Sequence, residues 1–414
     1  MSTVAEMNFV SAQTQQYIDQ ELAYGAHNYH PLPVVIDHAK DIFMYDVDGK
    51  KYYDFLSAYS AVNQGHCHPK IIAALIEQAQ KLTLTSRAFH NKNLSEYTKF
   101  ITNYFGYQKV LTMNTGVEGG ETAVKLARRW GYDVKGVPAN AAKIIFAGGN
   151  FWGRTISAIS TSEDPSSYER FGPFTPGFEN VPYNDIAALE QKFASDNNIV
   201  GYMFEPIQGE AGVVVPTEGY LTAVRELCTK YNVLMIADEI QTGLARTGKM
   251  LACDHEHVRP DILILGKALS GGTMPVSAVL CDDYIMMNIK PGEHGSTYGG
   301  NPLACAVATV ALNVLRDEKL AENAEAMGVY FREALLALNS PFISVVRGKG
   351  LLNAIVIKHA NPDAAWDLCI EMMKHGLLAK PTHGDKIRFA PPLTITKEAI
   401  DEAVAIIKQS LEIL

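Results

Sequence analysis

Between residues 108 and 280, short and strongly apolar runs alternate with amphipathic stretches. The runs are Val110-Leu111-Thr112-Met113, Lys143-Ile144-Ile145-Phe146, Val200-Gly201-Tyr202-Met203-Phe204, Val233-Leu234-Met235-Ile236, Ile262-Leu263-Ile264-Leu265 and Val276-Ser277-Ala278-Val279-Leu280. Runs this short, without polar alternation, suit strands covered on both faces, and helices between them imply a mostly parallel sheet. The pattern predicts an α/β fold. Upstream, residues 43–47 and 51–55 flank Asp48-Gly49, a pair that tolerates the positive φ angles of a tight hairpin turn. Helical periodicity then runs through Ile71, Ile72, Leu75, Ile76 and Ala79, with Pro69 suited to the helix start. The first 25 or so residues read as a loose arm with a short helix. From about residue 301, two long helices precede a strand-rich and helical tail that ends in residues 399–411. The tail predicts a smaller α+β domain packed with the hairpin, since neither piece alone could bury a core. The expected division is an arm and hairpin (1–60) packing with the small domain, a large domain (61–305) and a C-terminal small domain (306–414).

The length of 414 residues fits two to three domains at about 150 residues each. Lys plus Arg number 36 against 45 Asp plus Glu, a formal net charge of -9. That balance offers no general basic field to attract phosphates, which argues against nucleic acid as a partner. No apolar run approaches the roughly 18 residues of a membrane span. The longest, 304–315, is broken by Thr309 and Asn313 and reads as a buried helix. The first basic residue is Lys40, so neither a basic signal region nor an Arg-rich transit segment is visible. The six cysteines are scattered without a Cys-x-x-Cys pair, as expected of reduced thiols. Together these features predict a cytoplasmic enzyme that does not engage a membrane.

Several motifs lead nowhere. Gly243-Leu-Ala-Arg-Thr-Gly248-Lys249 begins like a phosphate-binding P-loop, but Met250 stands where a metal-ligating Ser or Thr is needed, and the acidic strand runs straight into the glycine segment. Gly65-His66-Cys67-His68-Pro69 is spaced too tightly for zinc ligand pairs and has no second cluster; Asp254-His255-Glu256-His257 is equally incomplete. No metal is expected. There is no Gly-x-Ser-x-Gly elbow of a serine hydrolase. A different constellation carries chemistry. Asp238 ends a very apolar strand, at the sheet edge where α/β proteins bind ligands. Lys267 follows the next run, although an isolated ammonium resists burial. The run 110–113 leads through Asn114-Thr115-Gly116-Val117 into a helix, whose free N–H groups and dipole make an anion site. A phosphate cradle, a buried carboxylate and a buried lysine at strand ends of one sheet are what pyridoxal 5′-phosphate requires.

With these residues in view, the chain resembles the class III pyridoxal-phosphate-dependent aminotransferases of fold type I, and within them the members that transaminate ornithine. The resemblance covers nearly the whole chain. It is carried by Tyr24-Gly-Ala-His-Asn-Tyr29-His-Pro, Phe55-Leu-Ser-Ala-Tyr59, Asn114-Thr-Gly-Val-Glu, Asn150-Phe-Trp-Gly-Arg154-Thr, Glu205-Pro-Ile-Gln-Gly-Glu210-Ala-Gly, Ala237-Asp-Glu-Ile-Gln241-Thr-Gly, Leu265-Gly-Lys-Ala-Leu-Ser-Gly-Gly, Gly295-Ser-Thr-Tyr-Gly-Gly-Asn-Pro and Ile387-Arg-Phe-Ala-Pro-Pro. Gly119-Gly120, where relatives commonly carry Ala-Gly or Ala-Ser, is a small departure expected to loosen the helix start slightly.

The resemblance implies a fold type I enzyme with a large cofactor domain and a smaller α+β domain. It implies that Lys267 holds pyridoxal 5′-phosphate as a Schiff base and shuttles the proton, that Asp238 pairs with the pyridinium nitrogen, that Gln241 bonds the phenolic oxygen and that Phe151 stacks on the ring. The N–H groups of Gly116 and Val117 would hold the phosphate, with Ser296 and Thr297 completing the cradle from the neighbouring subunit of a homodimer. Arg154 would bind a substrate carboxylate in its planar fork. Tyr29 would hold the α-amine of ornithine, Glu210 would pair with Arg388, and Tyr59 would line the pocket. The implied reaction moves the δ-amino group of L-ornithine to 2-oxoglutarate, giving glutamate and glutamate 5-semialdehyde, which cyclises to pyrroline-5-carboxylate. Acetylornithine and 4-aminobutyrate are the rival substrates; Tyr29 argues against both, because neither offers a charged α-amine. A rival of another kind, a catalytically dead scaffold without cofactor, is disfavoured by Lys267, Asp238 and Gln241 occurring together.

Overall fold

The computed structural model describes residues 10–414; the beginning of the expected N-terminal arm lies outside the described residues. A seven-stranded sheet forms the centre. In spatial order its strands are Lys109–Met113, Ser277–Cys281, Ile262–Leu265, Leu234–Asp238, Ile199–Phe204, Lys143–Ala147 and Phe178–Val181. The last five run parallel, while Ser277–Cys281 is antiparallel to both neighbours. All six apolar runs are therefore strands. Those from Ile199 to Phe204, Leu234 to Asp238 and Ile262 to Leu265 are buried at every position, because helices cover both faces. The mostly parallel α/β sheet anticipated from the sequence is present, with one further strand, Phe178–Val181, at its edge.

The helix Gly116–Trp130 lies across this sheet. Thr115 caps it: its hydroxyl accepts the Glu118 N–H, and the Glu118 carboxylate accepts the Thr115 N–H at 2.7 Å. Gly119 and Gly120 do more than soften the first turn. A Cβ at Gly119 would stand 2.9 Å from Ile264 Cγ2, and one at Gly120 would stand 2.6 Å from Trp152 Cε3. The helix sits so close to the sheet that hydrogen is the side chain that fits without rearrangement.

The hairpin forms around Asp48-Gly49 as expected, with strands Phe43–Asp46 and Lys51–Asp54. Asp46 Oδ1 accepts the N–H groups of Asp48 and Lys50, and Gly49 takes φ 80°. The helix Ala12–Tyr24 is tied to the hairpin turn by Ser11 and Thr14, whose hydroxyls donate to Asp48 Oδ2 at 2.7 and 2.9 Å. Leu377–Leu378 joins the hairpin in parallel, so the N-terminal strands share a sheet with the C-terminal segment. The rest of that segment forms an antiparallel sheet, in order Ile343–Lys349, Leu352–Ile357, Lys386–Phe389 and Lys380–Thr382. The helix Pro302–Asp317 packs on Pro69–Ala79 and Lys92–Phe105. His66 and His68 are bonded to Asp54 and Glu318, at 2.7 and 3.2 Å. No described helix is long and apolar enough to cross a membrane.

Candidate active site

The carboxyl ends of the central strands open into a cavity of about 240 Å³, lined among others by Gly116, Val117, Phe151, Glu205, Asp238, Gln241 and Lys267. A larger cavity of about 750 Å³ adjoins it through Phe151 and reaches Tyr29, Tyr59, Arg154, Glu210 and Arg388. Of the residues named for the cofactor, Gly116, Val117, Phe151, Asp238, Gln241 and Lys267 surround the inner space, and those named for the substrate surround the outer one.

Asp238 closes the strand Leu234–Asp238 and is 4% exposed. One of its oxygens accepts the Ile240 N–H at 3.0 Å; the other has no partner among the described residues. Burial raises its pKa to about 6, against the pull of that N–H and of Lys267. Lys267 begins the turn Lys267–Ser270 with φ 45°, and its amine makes no hydrogen bond among the described residues. Burial lowers its pKa, opposed by the charges of Glu210 and Asp238. A lysine with a lowered pKa holds more of its amine neutral and nucleophilic at neutral pH.

At the start of the helix Gly116–Trp130, the N–H groups of Gly116 and Val117 have no acceptor among the described residues, and both residues line the inner cavity. Free N–H groups at the positive end of a helix dipole form an anion site. The cavity therefore supplies a phosphate seat, a buried carboxylate with a free oxygen, a poised amine and an aromatic ring at Phe151. This donor set fits pyridoxal 5′-phosphate.

In the outer cavity Arg388, 2% exposed, donates to Glu210 Oε1 at 2.7 Å and to Gln241 Oε1 at 3.2 Å, while Gln241 Nε2 donates to the same Glu210 oxygen at 3.1 Å. Burial pushes the Glu210 carboxyl up, but Arg388, Lys267 and Gln241 outweigh it and hold the group below its ordinary range. The Tyr59 ring lies on the Arg388 guanidinium, 5.0 Å from the centroid. The Arg154 guanidinium stands 5.7 Å from the Phe151 ring and has no carboxylate or hydrogen-bond partner among the described residues. Tyr29 is exposed at the cavity edge, with Lys380 Nζ 6.0 Å from its ring.

Ser296 and Thr297 line neither cavity. Ser296 Oγ accepts from Asn114 Nδ2 at 2.8 Å, and Thr297 is exposed. A third cavity, of about 320 Å³, reaches Lys267 from this side through Asn114, Thr115 and Gly116.

Glu205 escaped the sequence reading. It is fully enclosed beside Asp238, and burial together with that neighbour raises its pKa to about 8. Its two oxygens accept the N–H groups of Phe151 and Gly209 at 3.1 and 3.3 Å. The signal was available: Glu205 directly follows the apolar strand Ile199–Phe204, the placement that singled out Asp238.

The sequence model of the family "Aminotransferase class-III" matches residues 24–411. The chain is 64% identical over 399 residues to mitochondrial ornithine aminotransferase of Rattus norvegicus, covering 96% of this chain and 91% of that one. It is 65% identical over 392 residues to the mitochondrial ornithine aminotransferase of Drosophila melanogaster, covering 95% and 90%. Among solved structures, ornithine aminotransferase from Toxoplasma gondii ME49 superposes with a TM-score of 0.94 at 49% identity, covering 97% and 95%. Acetylornithine aminotransferase from Elizabethkingia anophelis superposes at 0.89 with 56% identity, covering 97% and 99%. With its fold, its lysine and carboxylate at adjacent strand ends and these likenesses along nearly all its length, the chain belongs to the class III aminotransferases, pyridoxal-phosphate-dependent enzymes of fold type I.

Proposed function

We propose that this enzyme transfers the δ-amino group of L-ornithine to 2-oxoglutarate, giving glutamate and glutamate 5-semialdehyde. One observation carries the reading: of the two arginines at the outer cavity, Arg388 is held by Glu210 while Arg154 is free. A substrate with one carboxylate then has one cation open to it. Ornithine bound by its α-carboxylate at Arg154, with its α-amine at Tyr29, points the distal amine inward. Turnover on ornithine is expected to exceed that on acetylornithine and 4-aminobutyrate by orders of magnitude. Comparable turnover on acetylornithine overturns the assignment.

Pyridoxal 5′-phosphate, when bound, supplies the electron sink that stabilises negative charge at the substrate carbon. Gly116 and Val117 would seat its phosphate, Phe151 would pack on its ring, and Asp238 would keep its ring nitrogen protonated. Gln241 gives one amide hydrogen to Glu210 and retains a second for the phenolic oxygen. Lys267 would hold the cofactor through its amine and would carry the proton at the reacting carbon. In Asp238→Asn the amide cannot hold the nitrogen protonated. That variant is expected to bind cofactor but to react with ornithine at least 10²-fold more slowly in single turnover, the low end of acid–base contributions, roughly 10²–10⁴. A rate within a few-fold of the parent would remove Asp238 from this role.

We assign the working unit as a homodimer with Ser296 and Thr297 entering the neighbour's phosphate seat. Their exclusion from their own chain's inner cavity, and the third opening toward Lys267, support this. A heterodimer of one Lys267→Ala chain and one Thr297→Ala chain places both defects in one site and leaves the other intact. Half of parental activity, with parental KM, is expected. Damage to both sites indicates an unshared cradle. A cytoplasmic location is part of the same proposal; the relatives named mitochondrial make cell fractionation the deciding measurement.

A further inference from the structure

The turn that carries Tyr59 has an unusual backbone. Ser57, Ala58, Tyr59 and Ser60, none of them glycine, take φ of 47, 47, 61 and 70°. A left-handed turn of L-residues is disfavoured because Cβ crowds the following carbonyl. The hydroxyls of Ser57 and Ser60 are also buried without a hydrogen-bond partner. Such conformations persist where their surroundings over-determine them, and they concentrate at functional sites.

The surroundings are specific. Asp54, 1% exposed, accepts the N–H groups of Leu56 and Ser57 with Oδ1, at 2.9 and 2.8 Å, and its Oδ2 meets His66 Nε2 at 2.7 Å. Phe55 bonds through its backbone to Leu378 and Ala390, at 2.9 and 2.7 Å, on the side that carries Arg388. Beyond the turn, Gln64 Nε2 donates to the carbonyl of Ala268, the residue after Lys267, at 2.9 Å. The turn is therefore fixed between the Arg388 side and the Lys267 turn. What it delivers is the Tyr59 ring against the face of Arg388, while Glu210 holds the same guanidinium by hydrogen bond.

The geometry points to Asp54 as a positioning residue for substrate selectivity: its carboxylate locks the left-handed turn 57–60 and so keeps Tyr59 on Arg388. This rests on Arg388 being the cation that accepts an α-carboxylate in the glutamate half-reaction. With Tyr59 withdrawn, Arg388 has one contact fewer to hold it in reserve, and ornithine loses part of its advantage over glutamate.

The test compares half-reaction rates for ornithine and glutamate in the cofactor-loaded enzyme. Wild-type turnover on ornithine examines the proposed function separately. Tyr59→Ala is expected to shift the glutamate-to-ornithine ratio on the order of fivefold, the size of one cation–π contact. Asp54→Ala should shift it equally, and the double variant no further, because both changes remove the same contact. Asp54→Asn keeps the accepting oxygen and should retain the parental ratio. Ala58 is exposed, so Ala58→Val reaches the turn without disturbing the core, even where Asp54→Ala does not fold. A β-branched residue resists positive φ, so Ala58→Val should shift the ratio in the same direction, and Ala58→Gly should not. Equal slowing of both half-reactions in Asp54→Ala or Ala58→Val, or additivity with Tyr59→Ala, overturns the proposal.

Discussion

Lys267→Ala is expected to hold pyridoxal 5′-phosphate weakly and to lose transamination by more than about 10⁴-fold, beyond the range that acid–base assistance alone provides. The reason is visible in the surroundings of the side chain. Its amine has no hydrogen-bond partner among the described residues and faces two cavities, and the protein packed around it lowers its pKa despite Glu210 and Asp238 nearby. Such a lysine is poorly placed for a structural role, since an ammonium serving structure is normally paired. In the proposed assignment, one substitution removes both the covalent anchor of the cofactor and the base nearest the reacting carbon. The loss should appear as colourless purified protein, and as a single-turnover rate that added cofactor does not restore. Rates near the parental value at saturating cofactor would sink the assignment. Stability should change little or rise, because a desolvated amine is exchanged for a methyl group.

The sequence showed the strands more readily than their directions. Six runs are apolar enough to stand out, because the sheet centre is covered on both faces. The edge strand Phe178–Val181 is interrupted by Glu179 and Asn180; its exposure lets Glu179 pair with Lys143 and Lys192, so the apolar signal is diluted. The reversal at Ser277–Cys281 goes with a connection of only eleven residues, 266–276, that carries Lys267 and holds no crossover helix of the kind a parallel neighbour usually needs. In the site, chemistry at strand ends was legible because an Asp or Lys is conspicuous after an apolar run. The left-handed turn at Ser57–Ser60 was not: no glycine announces it, and its conformation is imposed by Asp54, Phe55 and their long-range partners. The bridging of Glu210 and Arg388 by Gln241 depends on residues 31 and 147 positions away in sequence, a relation that spacing cannot reveal.

Glu210→Gln tests how one site serves two substrates that differ at the reacting carbon. Ornithine must present its distal amine, at a carbon bearing no carboxylate. Glutamate must present its α-amine, with a carboxylate beside the reacting carbon. The paired state seen here suits the first task. Arg388 is bonded to Glu210 at 2.7 Å and covered by Tyr59, while Arg154 is free for the α-carboxylate of ornithine. In the proposed reading, the α-carboxylate of glutamate displaces Glu210 from Arg388 while Arg154 takes the γ-carboxylate. Removing one member of a buried ion pair typically costs about 3–5 kcal/mol, because the charge left behind has lost its counter-ion. In Glu210→Gln the stranded charge is Arg388, now open to any α-carboxylate. The variant is therefore expected to run the glutamate half-reaction faster. Its yield of pyrroline-5-carboxylate relative to the α-keto product of ornithine should fall by about tenfold or more, a shift of ~1.4 kcal/mol in the balance of binding modes. Product analysis from ornithine, with half-reaction rates for glutamate, reads both effects. If neither the product ratio nor the glutamate rate moves, Glu210 serves only to neutralise Arg388 in the folded protein, and selectivity for the distal amine must come from other residues of the cavity, Tyr29, Tyr59 and Arg154 among them.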